Sequence, residues 1–163
     1  MRIPFFSRAE EFAVERLTDG DARLLPAIHR EDFVRPWSGG EFETLIAQQP
    51  VFGFGVWRVG HRAEAPAGFV LARLAAGESE ILTIAVARTW RRHGLGRELM
   101  EAVLRHLHGE RAEELFLEVD ETNQPAIALY RRLGFQEVAR RPAYYDKPGA
   151  ASTAALVMRR DLR

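Results

Sequence analysis

Residues 81–107 read Ile-Leu-Thr-Ile-Ala-Val-Ala-Arg-Thr-Trp-Arg-Arg-His-Gly-Leu-Gly-Arg-Glu-Leu-Met-Glu-Ala-Val-Leu-Arg-His-Leu, and the apolar period changes inside them. Ile81 to Val86 is a short apolar run rich in β-branched residues, as in a buried strand. From Leu95 the apolar residues fall at Leu99, Met100, Val103, Leu104 and Leu107, the spacing of one helix face. Residues 88–97, across the junction, hold Arg88, Arg91, Arg92, His93 and Arg97, with no acidic residue. A helix start presents free N–H groups and a partial positive charge, which suits a phosphate. Gly94 and Gly96 let a ligand approach the backbone without meeting a Cβ. The pattern Arg-x-x-Gly-x-Gly is too short for a Walker loop, lacks its Lys-Ser/Thr pair, and departs from GxGxxG. The turn therefore reads as a pyrophosphate cradle without metal, or as a solvated basic loop with a glycine bend.

Working outward, Phe12 to Leu17 reads as a strand and Thr18-Asp19-Gly20-Asp21 as a turn and helix start. A helix through Leu24, Leu25 and Ile28 follows, interrupted by Pro36-Trp37-Ser38. Ser38 and Glu41 have capping-box spacing, which predicts a second helix from about Gly39 to Gln49. Val51 to Val59, Gly68 to Leu74 and Glu80 to Val86 read as three strands of an antiparallel meander, with turns at Gly60 to Pro66 and Ala75-Ala76-Gly77. After the Leu95 helix, ended at Gly109, come a strand at Leu115 to Val119 and a helix at Asn123 to Leu133 stopped by Gly134. Strands at Phe135 to Arg140 and Thr153 to Met158 complete the order β-α-α-β-β-β-α-β-α-β-β. The expectation is one α+β domain over 1–163, a mixed sheet of about seven strands flanked by four helices.

Composition narrows the partners. Of 163 residues, 47% are apolar, enough for a packed core. The 23 basic and 23 acidic side chains cancel, so no net field draws the chain toward nucleic acid or an anionic membrane. The absence of cysteine removes disulfides, thiolate metal sites and a Cys nucleophile. Met1-Arg2-Ile3-Pro4-Phe5-Phe6 is followed by charges at Arg8, Glu10 and Glu11, so no signal peptide is expected. No apolar run approaches the roughly 20 residues of a membrane span. A cytoplasmic protein without metal is expected.

Two segments together carry a family resemblance. The strand Ile81–Val86, the Arg91–Gly96 turn and the helix after it resemble the acetyl-CoA motif of the GCN5-related N-acetyltransferase (GNAT) superfamily. Asn123-Gln-Pro-Ala-Ile-Ala-Leu-Tyr-Arg-Arg-Leu-Gly-Phe135 resembles its second signature, Asn-x-x-Ala-x-x-x-Tyr-x-x-x-Gly-Phe. The resemblance covers nearly the whole chain and implies the GNAT fold. His29 to Ser38, Leu117-Glu-Val119 and Tyr144-Tyr145 look like the RimI-type branch, which acetylates the N-terminal alanine of the eighteenth small-subunit ribosomal protein.

What the resemblance implies is residue-specific. Acetyl-CoA is held by Arg91, Arg92, His93, Gly94, Leu95, Gly96 and Arg97, and by the backbone of Ile84, Ala85 and Val86 where the sheet splays. The Val86 N–H is the candidate for polarising the thioester carbonyl. Asn123 reaches the coenzyme, or simply caps its helix. Glu118 is the general base and Tyr130 the general acid. Phe116 and Glu118 share one strand face, so Glu118 can point into a cleft; half-buried in an apolar strand, it is expected to have a raised pKa. Tyr130, with an ordinary pKa of about 10, is otherwise a core aromatic beside Ile127. Trp37, Tyr144 and Tyr145 line the acceptor groove, or cover the core.

An α-amine, with a pKa of roughly 7.7–8.0 against about 10.4 for Lys, is the easier acceptor for a single base. The expected partner is a protein N-terminus, most of all a ribosomal one. A small amine or antibiotic, and coenzyme binding without catalysis, are the competing readings. One departure bears on the acceptor. The branch usually carries an acidic residue just before the last strand, and here none follows Asp146 ahead of Ala151-Ser-Thr-Ala-Ala-Leu-Val-Met158.

Overall fold

The computed structural model describes residues 10–33, 35–142 and 153–163. Its strands are β1 Phe12–Arg16, β2 Val51–Arg58, β3 Gly68–Ala75, β4 Glu78–Val86, β5 Glu114–Asp120, β6 Gln136–Arg141 and β7 Ala155–Asp161. Its α-helices are α1 Pro26–Asp32, α2 Gly39–Ala47, α3 Leu95–Gly109 and α4 Gln124–Arg132. The strands form one sheet in the order β1-β2-β3-β4-β5-β7-β6. Every pairing is antiparallel except β4 with β5, so the sheet is mixed, as expected.

Local chemistry explains the boundaries that differ from expectation. The first helical region divides into a 3₁₀ segment at Asp19–Leu24 and then α1, because Pro26 has no N–H to continue the ladder. The β3–β4 turn takes only Ala76 and Gly77, with φ of 52° and 83°. Two positive-φ residues match the twist of a tight hairpin, so both strands run further than expected and β4 starts at Glu78. β7 runs past Met158 to Asp161 because its register opposite Glu114 continues that far. The Ser38–Glu41 capping box forms, with Glu41 N–H donating to Ser38 Oγ at 3.2 Å.

Strand alternation builds a core on each face of the sheet. Phe69 and Leu71 of β3 join Leu25, Ile28, Phe42 and Trp57 under α1 and α2. Val70 and Ala72 join Leu99, Met100, Val103 and Leu107 of α3 on the other face, with Ile127 and Tyr130 of α4. β3 thus buries both faces and reads as a near-continuous apolar run. At roughly 1.5–3 kcal/mol for each fully buried large apolar side chain, these layers supply the main drive for folding.

Candidate functional site

The parallel pairing of β4 and β5 is short. Glu78, Ser79 and Glu80 match Glu114, Leu115 and Phe116, and no pairing follows among the described residues. From Ile81 to Val86 the strand keeps only its β3 neighbour. Ala87 N–H donates to Ala67 O at 2.8 Å, on the β3 side. By two-residue alternation, Ile84 and Val86 turn their backbone N–H and C=O away from β3, into the gap.

The expected cradle closes the end of that gap. Gly94 caps α3 in the left-handed region, φ 72°, and a Cβ there would meet nothing within 4 Å. Space remains for a ligand against the backbone, above a helix 15 residues long. Arg92 also has a positive φ, 67°. His93 Nδ1 lies 3.1 Å from Trp90 O and 3.0 Å from Arg91 O, so it donates to the turn's own carbonyls. The charge of the turn is partly spent inside the protein. Arg91 pairs with Asp32, and Arg97 Nε bonds Glu101 Oε1 at 2.9 Å. Arg88 N–H donates to Glu31 Oε2 at 2.7 Å. The Arg88 guanidinium donates to Glu31 O, so of the four arginines only Arg92 has a guanidinium with no hydrogen bond or ion pair among the described residues. Leu95 is buried core, whereas a Cβ on Gly96 would lie 3.6 Å from Leu129 of α4. These groups fit a phosphate through backbone N–H groups and Arg92, with fewer free guanidinium groups than four arginines imply.

On the α1/α2 face, β4 and β5 open onto a cleft of about 610 Å³. Phe116 and Glu118 line it together, as their shared strand face required. The Glu118 side chain is 46% exposed, about the half-burial expected, with Arg141 Nε 3.0 Å from its carboxylate. The strand alternates, and the buried partners are Leu115, Leu117 and Val119 on the opposite face. Arg73 and Glu80, 3.2 Å apart, sit on the same cleft wall. Sequence reading missed Arg141, Arg73 and Glu80, because strand register joins them and no local spacing does.

Tyr130 lies across the sheet, packed edge-on against Phe135 with centroids 5.9 Å apart. It is 6% exposed. Burial pushes its hydroxyl up to about 12, above the value of 10 for a solvated Tyr. The hydroxyl has no hydrogen-bond partner among the described residues. Asn123 caps α4, its Oδ1 accepting from Ala126 N–H at 3.3 Å. Trp37 is half-buried against the core under α1 and α2 and is not among the residues lining the cleft. Tyr144 and Tyr145 lie outside the described residues. Among the described residues no cluster of His, Asp and Glu could hold a metal, and no helix is long and apolar enough to cross a membrane.

Comparison with known proteins agrees with this geometry. Residues 23–135 match the acetyltransferase (GNAT) family. The chain is 34% identical to N-alpha-acetyltransferase RimI of Mycobacterium tuberculosis, over 93% of this chain and 94% of the relative. It is 39% identical to the [ribosomal protein bS18]-alanine N-acetyltransferase of Escherichia coli K12, over 75% and 79% respectively. It also matches the uncharacterized protein ML0378 of Mycobacterium leprae at 30% identity, spanning 43% of that longer protein. The crystal structure of the Escherichia coli ribosomal-protein-S18-alanine N-acetyltransferase superposes with a TM-score of 0.82 at 28% identity, covering 93% of this chain and 94% of that one. The chain belongs to the acetyltransferase (GNAT) family.

Proposed function

We propose that residues 1–163 work as one cytoplasmic domain that moves an acetyl group from acetyl-CoA to the N-terminal α-amine of a protein. The favoured acceptor is the N-terminal alanine of a small-subunit ribosomal protein, in keeping with the bS18-alanine named for the Escherichia coli relative. The observation that carries the reading is the β4–β5 gap, with Ile84 and Val86 backbone groups facing into it and Glu118 on the adjoining cleft wall.

Acetyl-CoA supplies an acyl carbon activated as a thioester. The residues then divide the work. Arg91, Arg92, His93, Gly94, Leu95, Gly96 and Arg97 form the pyrophosphate turn, mainly through backbone N–H groups and the Arg92 side chain. Ile84, Ala85 and Val86 lie along the pantetheine arm, and the Val86 N–H donates to the carbonyl oxygen as negative charge grows there. Asn123 caps α4 with its oxygen, which leaves the amide NH₂ for the coenzyme. Glu118 takes the proton of the acceptor ammonium, directly or through water that its exposure admits. Arg141 must give way for the amine to reach that carboxylate. Tyr130 Oη holds its proton throughout the neutral range. Giving it fully to a thiolate with a pKa near 8.5 is uphill by about 5 kcal/mol. The hydroxyl is therefore suited to donating a hydrogen bond to the leaving sulfur, with solvent completing the protonation. Trp37, Tyr144 and Tyr145 flank the acceptor.

The experiment is acetyl-CoA turnover with a short peptide beginning Ala-Arg, against the same peptide blocked at its N-terminus, with polyamines and aminoglycosides in parallel. Turnover is expected on the free peptide alone. Equal rates on the blocked peptide overturn the α-amine assignment, and a faster rate on a small amine redirects the acceptor.

A further inference from the structure

His29 is 1% exposed, and the proposed chemistry does not use it. Both of its ring nitrogens are engaged. The backbone N–H of Trp37 donates to Nδ1 at 3.1 Å, so that nitrogen is the bare acceptor. The proton therefore sits on Nε2, which donates to Thr83 Oγ1 at 3.2 Å. One neutral tautomer satisfies both bonds. Burial holds the imidazole below its ordinary pKa, with Asp32 and Glu41 opposing more weakly.

The two partners belong to different elements. Thr83 belongs to the stretch of β4 that has left β5. Trp37 precedes the Ser38 cap of α2. The ring is also clasped by aromatics: Phe33 stacks at 3.9 Å and 9°, Trp37 at 4.9 Å and 25°, and Phe42 meets it edge-on at 5.4 Å. Glu31 and Asp32, on the same helix, hold Arg88 and Arg91 of the phosphate turn. α1 is thus tied at its end to the phosphate turn, while His29 ties it to β4 and to the segment ahead of α2.

We infer that His29 is a positioning residue that fixes the Trp37 segment against the splayed part of β4 and so sets the acceptor wall. A packing role would need only a flat ring, which Phe supplies. The hydrogen bonds add a fixed direction and distance for the Trp37 backbone. The inference rests on the reading that Trp37 flanks the acceptor.

The test is steady-state kinetics of His29→Phe, His29→Asn, His29→Gln and Trp37→Ala with the short peptide beginning Ala-Arg as acceptor. KM is measured separately for acceptor and acetyl-CoA, and Tm alongside. Phe keeps the stacking and loses both bonds. It should raise the acceptor KM about fivefold to tenfold, as for a lost hydrogen bond, and leave that of acetyl-CoA within about twofold. Asn places an oxygen near the Nδ1 position and should recover most of the acceptor KM; Gln reaches only toward Thr83 and should not. Should Trp37→Ala raise the acceptor KM while His29→Phe leaves it at the parent value, the His29 role is overturned and the acceptor reading stands. An unchanged KM in Trp37→Ala removes the acceptor reading of Trp37, and this inference with it. Equal rises in both KM values across the His29 variants mark a general packing role and overturn it too. Nitrogen NMR of the parent protein checks the geometry without any variant: a neutral Nε2–H tautomer is expected, and a bare Nε2 or an imidazolium at neutral pH refutes it.

Discussion

Replacing Tyr130 by Phe separates its acid chemistry from its packing, and the structure supplies the magnitudes. The ring is 6% exposed against Phe135 and Ile127, and Phe fills the same space. The hydroxyl has no hydrogen-bond partner among the described residues, so at pH 7 the change should alter stability by no more than about 1 kcal/mol. At high pH the two proteins diverge. The folded-state pKa is about 12 against 10 unfolded, so the protonated phenol favours the folded state. That contribution is fully present below pH 10 and is lost as pH rises from there through 12. Its full size is two units at 1.36 kcal/mol each, about 2.7 kcal/mol, and about half of it, 1.4 kcal/mol, is gone at pH 11. Urea unfolding of both proteins at pH 8, 10 and 11 measures the difference, in which all other titrating groups cancel. Tyr130→Phe should gain on the parent by about 1.4 kcal/mol between pH 8 and 11. A difference that stays flat over that range means the hydroxyl is not desolvated, and the argument from burial fails. At pH 7 the same variant should lose about tenfold or more in kcat. An unchanged kcat removes Tyr130 from the chemistry.

Three further outcomes follow. Glu118→Gln should lower kcat by about 10² or more while leaving coenzyme affinity and Tm unaltered, because the exposed pair with Arg141 contributes under about 1 kcal/mol; calorimetric titration with coenzyme A beside the kinetics decides it. Gly94→Ala should fold, since nothing lies within 4 Å of the new Cβ, at a cost near 1 kcal/mol for its positive φ. It should raise the acetyl-CoA KM several-fold, and an unchanged value would mean the ligand does not approach that backbone. Asp21→Asn probes acid stability. Burial pushes the Asp21 carboxyl up, but bonds from Arg62 Nη1 and Nη2 at 2.9 and 3.1 Å and from Thr18 outweigh it and hold the pKa below the ordinary value. This stabilisation is present above about pH 4 and lost as pH falls through the folded value. The variant should be weaker by about 1–3 kcal/mol at pH 7 and lose less on acidification, as followed by urea unfolding at pH 7 and 3.

Legibility in the sequence tracked the range of the interaction. The stripe from Leu95 to Leu107, the Ser38–Glu41 cap and the alternation through Leu115 to Val119 are relations among residues within a few positions, and each formed as expected. Boundaries failed where a backbone detail intervened, as at Pro26 and the Ala76–Gly77 hairpin. The pairing of Glu118 with Arg141 was illegible for a different reason: alternation says which positions of a strand share a face, but not which strand stands beside them.

By itself, then, the sequence determined the order of elements, the basic turn at the head of α3 and the Asn123–Phe135 signature, because each is written in local spacing. Tertiary structure decided the rest. Only the register of β4 on β5 shows that pairing stops after Glu80 and Phe116, leaving Ile84 and Val86 turned toward a gap. Only packing across 59 positions shows that Arg91 faces Asp32. Only the run β6–β7–β5 brings Arg141 to Glu118. Such contacts come from strands and helices meeting at long sequence separation, where one residue of slip exchanges one face for the other.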